Sequence, residues 1–239
     1  ADHLAVKLAR QLNGEVVSAD SRQVYRGLDI GSGKLEVGKR GGVPHHLLDV
    51  ASPKSPPAGG FTVARYQKLA ERVIADIVQR GKLPIVCGGT GFYVQALVDN
   101  LALPPVPPNQ KLRARLEKLA TLTLVRKLLA LDRARAEKVD PRNRRRLIRA
   151  VEIAAALGRV PKIEKRASPY RFLIIGLETK SEKLKTKIKN RLRQEFRRRL
   201  TAEVRNLHAA GVSWRRLESF GLEYKFVALY LQHKLAKTE

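Results

Sequence analysis

The tightest constraint on the fold is a pair of short apolar runs that break off into small and polar residues. EVVSA at 15–19 runs into DSRQ, and LPIVCGG at 83–89 runs into TGFY. Apolar runs of this length, bounded by turn-forming residues, read as strands buried on both faces, as in a parallel sheet. HHLLDV at 45–50 and RFLIIGLE at 171–178 read the same way. Helical periods lie between them. Residues 3–12 place Leu4, Leu8 and Leu12 on one face before Gly14. Residues 61–80 keep Val63, Tyr66, Ala70, Val73, Ile74 and Ile77 at helical spacing until Gly81. Strands alternating with helices predict an α/β fold, an open parallel sheet with helices on both faces. Such sheets bind ligands at the carboxyl ends of their strands, where SADS and CGGT both fall.

The texture changes at the proline-rich hinge LALPPVPPNQ, 101–110. Amphipathic, basic helices are predicted over 111–119 and 123–131. DPRNRRRLIRAVEIAAALG forms a third, with Asp140 as cap, Pro141 in the first turn and Gly158 as stop. The chain thus divides into an α/β core, 1–102 and 161–239, and a helical insertion, 103–160. A long basic helix from 181 to Gly211 and a last helical stretch over 221–235 complete the core.

Charge supplies the first functional clue. Forty-eight Lys and Arg against twenty-two Asp and Glu give a net charge of +26. An excess of that size attracts a polyanion, nucleic acid first and an anionic membrane surface second; a solvated surface without a partner is the bland alternative. The single cysteine, Cys87, excludes an internal disulfide and a cysteine-based zinc cluster. No apolar stretch reaches the roughly 18 residues of a membrane span, and no secretory signal is visible, so a cytoplasmic protein is predicted.

Four segments can carry chemistry. Asp20 and Ser21, at a strand end, suit proton acceptance and substrate orientation, or simply a turn cap. GSGK at 31–34 offers one cation, Lys34, to a phosphate. CGGTGFY offers the Gly88 and Gly89 backbone and the Thr90 hydroxyl as an anion cradle, or is an ordinary strand-to-helix turn. In RNRRRLIR, Arg142, Arg145, Arg146 and Arg149 lie near one helix face, fit for RNA phosphates or for solvent, and Arg113 and Arg115 extend that surface. Nothing local sets Arg191 apart. The pair His45–His46 lacks further ligands for a metal.

Taken in order, VVSADSRQVYRGLDIGSGK, GVPHHLLDV, FTVARYQKLA, GKLPIVCGGTGFYVQAL, DPRNRRRLIRAVEI and EVRNLHAAG with GLEYKFVALYL resemble the tRNA dimethylallyltransferases. The resemblance implies a P-loop nucleotide-kinase-like core that holds dimethylallyl diphosphate where a kinase holds ATP. It also implies an inserted helical domain gripping the tRNA anticodon arm and Mg2+ bound with the diphosphate; a monomer is expected. By motif position, Asp20 resembles the general base for the N6 amine of the adenosine beside the anticodon, and Thr90 a hydrogen-bond donor at the diphosphate. Arg191, thirteen residues before Val204, matches the family's arginine at that diphosphate. Ser21, Arg22 and Gln23 resemble contacts to the flipped-out base, with Lys34, Gly88 and Gly89 on the substrate side. Arg113, Arg145, Arg146, Leu147, Ile148 and Arg149, then Phe220, Tyr224 and Lys225, resemble tRNA contacts.

Two parts of the family pattern are not in these 239 residues: a GxxxxGK[ST] phosphate loop before the first helix, and a basic, tryptophan-containing segment after the last. Two other functions stay open at this point. A small-molecule P-loop kinase would consume ATP without tRNA. A non-catalytic tRNA-binding protein would bind tRNA in a salt-sensitive way and no diphosphate.

Overall fold

Residues 16 and 17 face opposite sides of one strand, and around them the core is built. The computed structural model describes residues 2–55 and 60–235. Strand β1 (Gly14–Ser18) is central, flanked in parallel by β2 (His45–His46) and β3 (Leu83–Cys87), in the order β2-β1-β3. Alternation along β1 sends Val16 to one face and Val17 to the other. Val16 packs with Ala5, Val6 and Ala9 of α1 (Asp2–Gln11). Val17 packs with Tyr66, Ala70, Ile74 and Ile77 of α2 (Val63–Gln79) and with Tyr93 and Leu97 of α3 (Gly91–Val98). Both faces of the small sheet are therefore covered by helices.

The polar end of the sheet is fixed by a buried charge. Glu15 is 2% exposed, yet its carboxylate takes Arg80 at 2.6 and 2.8 Å, Lys82 at 2.7 Å and His46 Nε2 at 2.7 Å. The Arg80 guanidinium, against the opposing cost of burial and with Lys82 and His46 assisting, holds the Glu15 carboxyl far below the ordinary range. These bonds tie β1 to β2, to the end of α2 and to the start of β3.

The chain forms two compact units, one of residues 1–98 and 168–239, the other of 99–167. The boundary sits a few residues outside the predicted 103–160 because β4 (Leu101–Ala102) pairs antiparallel with β5 (Glu164–Lys165). Between them lie α4 (Gln110–Leu116), α5 (Thr121–Leu131), α6 (Arg133–Ala136) and α7 (Arg144–Leu157). Leu116, Leu124, Leu128, Leu147, Ile148 and Val151 fill their core. Asn143, not Asp140, caps α7 by accepting the Arg146 N–H, and Gly158 closes it in the left-handed region, φ 75°. Asp140 instead closes the preceding turn through the Arg142 N–H.

The larger unit continues with α8 (Ser181–Arg197), α9 (Leu200–Ala209), α10 (Trp214–Glu218) and α11 (Leu222–Leu231). Leu200, Val204, Leu217 and Tyr224 from the last three, with Phe220 from the link between α10 and α11, pack on Val24, Tyr25 and Leu28.

Three predicted elements differ. The long basic helix is two helices, because Arg199 adopts φ 71° and breaks the hydrogen-bond ladder. The strand at 45–50 stops after His46, since Leu47 and Asp49 take φ 62° and 59°. Residues 171–178 form no strand: among the described residues no strand pairs with them, and Leu173 stands 88% exposed.

Candidate active site

The site starts where β1 and β3 end side by side. Ala19 N–H donates to Cys87 O at 2.8 Å and Thr90 N–H to Ala19 O at 3.1 Å. The two loops touch so closely that a Cβ on Gly88 would lie 2.3 Å from the Ala19 carbonyl, so only glycine fits there. Thr90 then opens α3, its carbonyl accepting from Tyr93 and Val94. Its hydroxyl accepts the Ser21 N–H at 2.9 Å, which leaves the hydroxyl proton to be donated elsewhere.

Asp20 occupies the turn between them. One oxygen, Oδ1, accepts the N–H groups of Arg22 (2.7 Å) and Gln23 (3.2 Å). Oδ2 takes no part in these bonds. The Gln23 amide is held in turn by the buried Ser18 hydroxyl at 3.1 Å. The two readings of Asp20 are thus compatible: one oxygen caps the turn, and the turn orients the other. Asp20, Ser21, Arg22, Gln23 and Thr90 form one hydrogen-bonded knot beside the close approach of Gly88, with the Arg22 side chain leaving it toward α11. A Cβ on Gly221 would meet Arg22 Nε and Glu223 Oε2, each at 3.7 Å.

Glu223 leads to the second group. It pairs with Arg191 at 3.1 Å, and Arg191 Nε also meets Glu195 of its own helix at 3.2 Å. Arg191 and Glu195 line a cavity of about 200 Å³, together with His3, Glu36, Lys39 and Arg198. Glu36 is shared between Lys39 (3.1 Å) and Arg198 (2.5 Å). Neither Glu195 nor Glu223 stood out in the sequence. The available signal was an acid four residues after Arg191 on a helix otherwise crowded with cations.

Several expected contacts are structural instead. Lys34 is 6% exposed, and its ammonium is bound by Asp29 (2.6 Å), Asp49 (2.7 Å) and the Tyr25 carbonyl, so it is not a free cation for phosphate. Glu203 organises the same loop: its carboxylate accepts the N–H groups of Asp29, Ile30 and Gly31 and the Tyr224 hydroxyl. Tyr224 and Phe220 are each 1% exposed and belong to the core, not to a tRNA surface; Lys225 is exposed.

In the smaller unit, Leu147 and Ile148 are core residues and cannot meet RNA. Arg113 binds Glu152 with Nε at 2.9 Å and a terminal nitrogen at 2.6 Å. Arg149 pairs with the same carboxylate and donates to Val106 O at 2.8 Å. Burial opposes ionisation of Glu152, but Arg113, the Asn109 amide and Arg149 outweigh it and hold the carboxyl low. Arg145 and Arg146 remain exposed on α7.

Residues 23–239 match the family described as IPP transferase. The chain belongs to that family. It is 41% identical over 239 residues to a tRNA dimethylallyltransferase of Treponema pallidum (strain Nichols), covering 98% of the chain and 74% of that protein. A tRNA dimethylallyltransferase 2 of Pelobacter propionicus is 39% identical, with 99% and 74% covered. Among solved structures, the tRNA isopentenylpyrophosphate transferase of Bacillus halodurans superposes with a TM-score of 0.68 at 35% identity, over 99% of the chain and 75% of that structure. Among the described residues no helix is long and apolar enough to cross a membrane.

Proposed function

We propose that the chain transfers a dimethylallyl group from dimethylallyl diphosphate to the N6 amine of the adenosine beside the anticodon in tRNA. Membership of the family and the names of its relatives support the reaction. The observation that carries the residue assignment is the knot of Asp20 and Thr90 at the carboxyl ends of β1 and β3. The parallel order with helices on both faces supports a P-loop nucleotide-kinase-like core.

The residues suit the chemistry. An exocyclic amine is a weak nucleophile, because its lone pair is delocalised into the ring, so departure of the diphosphate drives the transfer. Cations and donors clamped on the departing oxygens stabilise that charge: Arg191 from α8 and the free proton of the Thr90 hydroxyl fill these roles. As the C–N bond forms and the C–O bond to diphosphate breaks, Asp20 Oδ2 takes the amine proton. Ser21, Arg22 and Gln23 flank the base that has left its stack, a displacement least costly in a single-stranded loop.

Among the described residues no three His, Cys, Asp or Glu side chains gather as a metal cage. Mg2+ bound with the diphosphate would supply neutralisation of the leaving group's charge. Exposed Arg145 and Arg146 are the phosphate contacts in the smaller unit, which acts as the inserted tRNA-binding domain. The protein works as a cytoplasmic monomer.

The deciding variant is Asp20→Asn. Asn keeps the Oδ1 acceptor that caps the turn but cannot take a proton. Transfer of labelled dimethylallyl to unmodified tRNA in the presence of magnesium should fall about 10²–10⁴-fold with the urea midpoint unchanged. Full activity in D20N would remove Asp20 from the chemistry.

A further inference from the structure

Glu195 is the only carboxylate among the described residues with a buried oxygen that has no hydrogen-bond partner. Its side chain is 4% exposed. Oε1 forms an ion pair with Arg191 Nε at 3.2 Å, while Oε2 has no hydrogen-bond partner. The residue lines the cavity of about 200 Å³ described above. An ionised oxygen in that position would have no protein donor, which is unfavourable.

The groups around it decide its state. From its own helix Arg191 and Arg198 favour the ionised form; Glu223 of α11 and Glu203 of α9 oppose it. Across the cavity stand His3 of α1 and Lys34, Glu36 and Lys39 of the loop after β1. The cations there are largely spoken for: Lys34 by Asp29 and Asp49, Lys39 and Arg198 by Glu36, and Arg191 by Glu195 and Glu223. Burial pushes the Glu195 carboxyl above its ordinary value, outweighing its arginine neighbours.

A carboxylic acid has one proton to donate, and Arg191, Arg198 and Lys39 have more N–H donors than their pairing with Glu36, Glu195 and Glu223 uses, so the cavity suits a ligand whose oxygens only accept. Phosphate oxygens are of that kind. We infer that Glu195 binds an oxygen of a diphosphate seated in this cavity as a neutral carboxylic acid, so that the ligand is taken up together with a proton. The inference rests on the reading that the diphosphate of the prenyl donor lies beside Arg191. The proton comes from solvent and stays on Oε2, and no other bond changes. A second anion beside Glu195 makes ionisation still harder, so binding and protonation reinforce each other.

The test is calorimetric titration of the full chain with inorganic pyrophosphate between about pH 5.5 and 8.5 at fixed ionic strength. Wild type, Glu195→Gln and Glu195→Leu are compared. Pyrophosphate itself titrates over the same range, but the ratio of wild-type to E195Q Kd cancels that contribution. That ratio should be near one at the acid end. It should then rise by as much as about tenfold per pH unit once Glu195 ionises in the free protein while staying protonated in the complex, because one proton is coupled to binding. E195L, which removes the donor, should bind about tenfold more weakly than E195Q at every pH. Unfolding followed by Trp214 fluorescence establishes that each variant is folded.

A ratio that stays flat across the range, or E195L binding as tightly as E195Q, overturns the role of Glu195 while leaving the diphosphate reading intact. Failure of folded wild type to bind pyrophosphate at all, with tRNA still bound, refutes that reading and the inference with it.

Discussion

Gly88→Ala is the sharpest probe of the proposed active site. The added Cβ would stand 2.3 Å from both the carbonyl carbon and oxygen of Ala19 and 2.8 Å from its Cα. All three are backbone atoms of the strand end that carries Asp20, so no side chain can rotate away. Relief requires the two loops to part, stretching the Thr90 N–H bond to Ala19 O (3.1 Å) and the Ser21 N–H bond to Thr90 Oγ1 (2.9 Å). Overpacking of this kind costs about 1–3 kcal/mol, and each weakened hydrogen bond adds about 1 kcal/mol at most. A loss of about 3 kcal/mol results, which shifts the urea midpoint down by about 1 M for a slope near 3 kcal/mol/M. Trp214, the sole tryptophan, lies in the same unit and reports this transition. Prenyl transfer should fall further than stability alone requires, by about 10²-fold, since Asp20 and Thr90 no longer face each other correctly. Gly89→Ala is the internal control: a Cβ there meets nothing within 4 Å, and the variant should stay within about 0.5 kcal/mol of the parent. If G88A matched G89A in midpoint and activity, the close approach of the two loops would not govern the site.

Three further outcomes follow from other parts of the fold. Glu152→Ala leaves Arg113 and Arg149 without their shared carboxylate, so thermal unfolding of the smaller unit by far-UV circular dichroism should show a loss of about 3–5 kcal/mol; an unchanged melt would mean the pair is dispensable. Glu15 has a depressed pKa in the folded protein, so its contribution is full above about pH 5 and fades as pH falls below the ordinary Glu value near 4.3. The gap in urea midpoint between wild type and Glu15→Gln should accordingly narrow from about pH 6 to pH 3, and a constant gap would contradict the linkage. Arg199→Gly should raise stability by about 0.5–1 kcal/mol, the relief of a left-handed non-glycine residue less the added freedom of the unfolded chain; a lower midpoint would show that the Arg199 side chain matters more than its backbone.

Local pattern carried much of the core into view. Val16 and Val17, and the apolar positions of α2, are legible because their burial follows strand alternation and helical period. Asp20 and Thr90 are legible as candidates because each stands two or three residues beyond the end of a strand, where a parallel sheet exposes polar residues. What stayed hidden depends on partners distant in the chain. Lys34 reads as a free cation until Asp49, fifteen residues away, closes on it. Arg113 and Arg149 read as an RNA surface until Glu152 draws them inward. Residues 171–178 have the composition of a buried strand, but strand formation needs a neighbour to pair with, which composition does not provide. Leu147 and Ile148 match a contact motif of the family by position, yet their side chains turn into the core of the smaller unit.

The Glu203 carboxylate has a consequence for a protein of such positive charge. Three successive amides, at Asp29, Ile30 and Gly31, form a ready receptor for stray anions, and in a chain of net charge +26 ions would concentrate there. By filling that receptor with its own side chain and fastening the plug with Tyr224, the fold takes it out of competition. Selectivity for the intended anion thus begins with stoppering the wrong receptacle, before any ligand arrives.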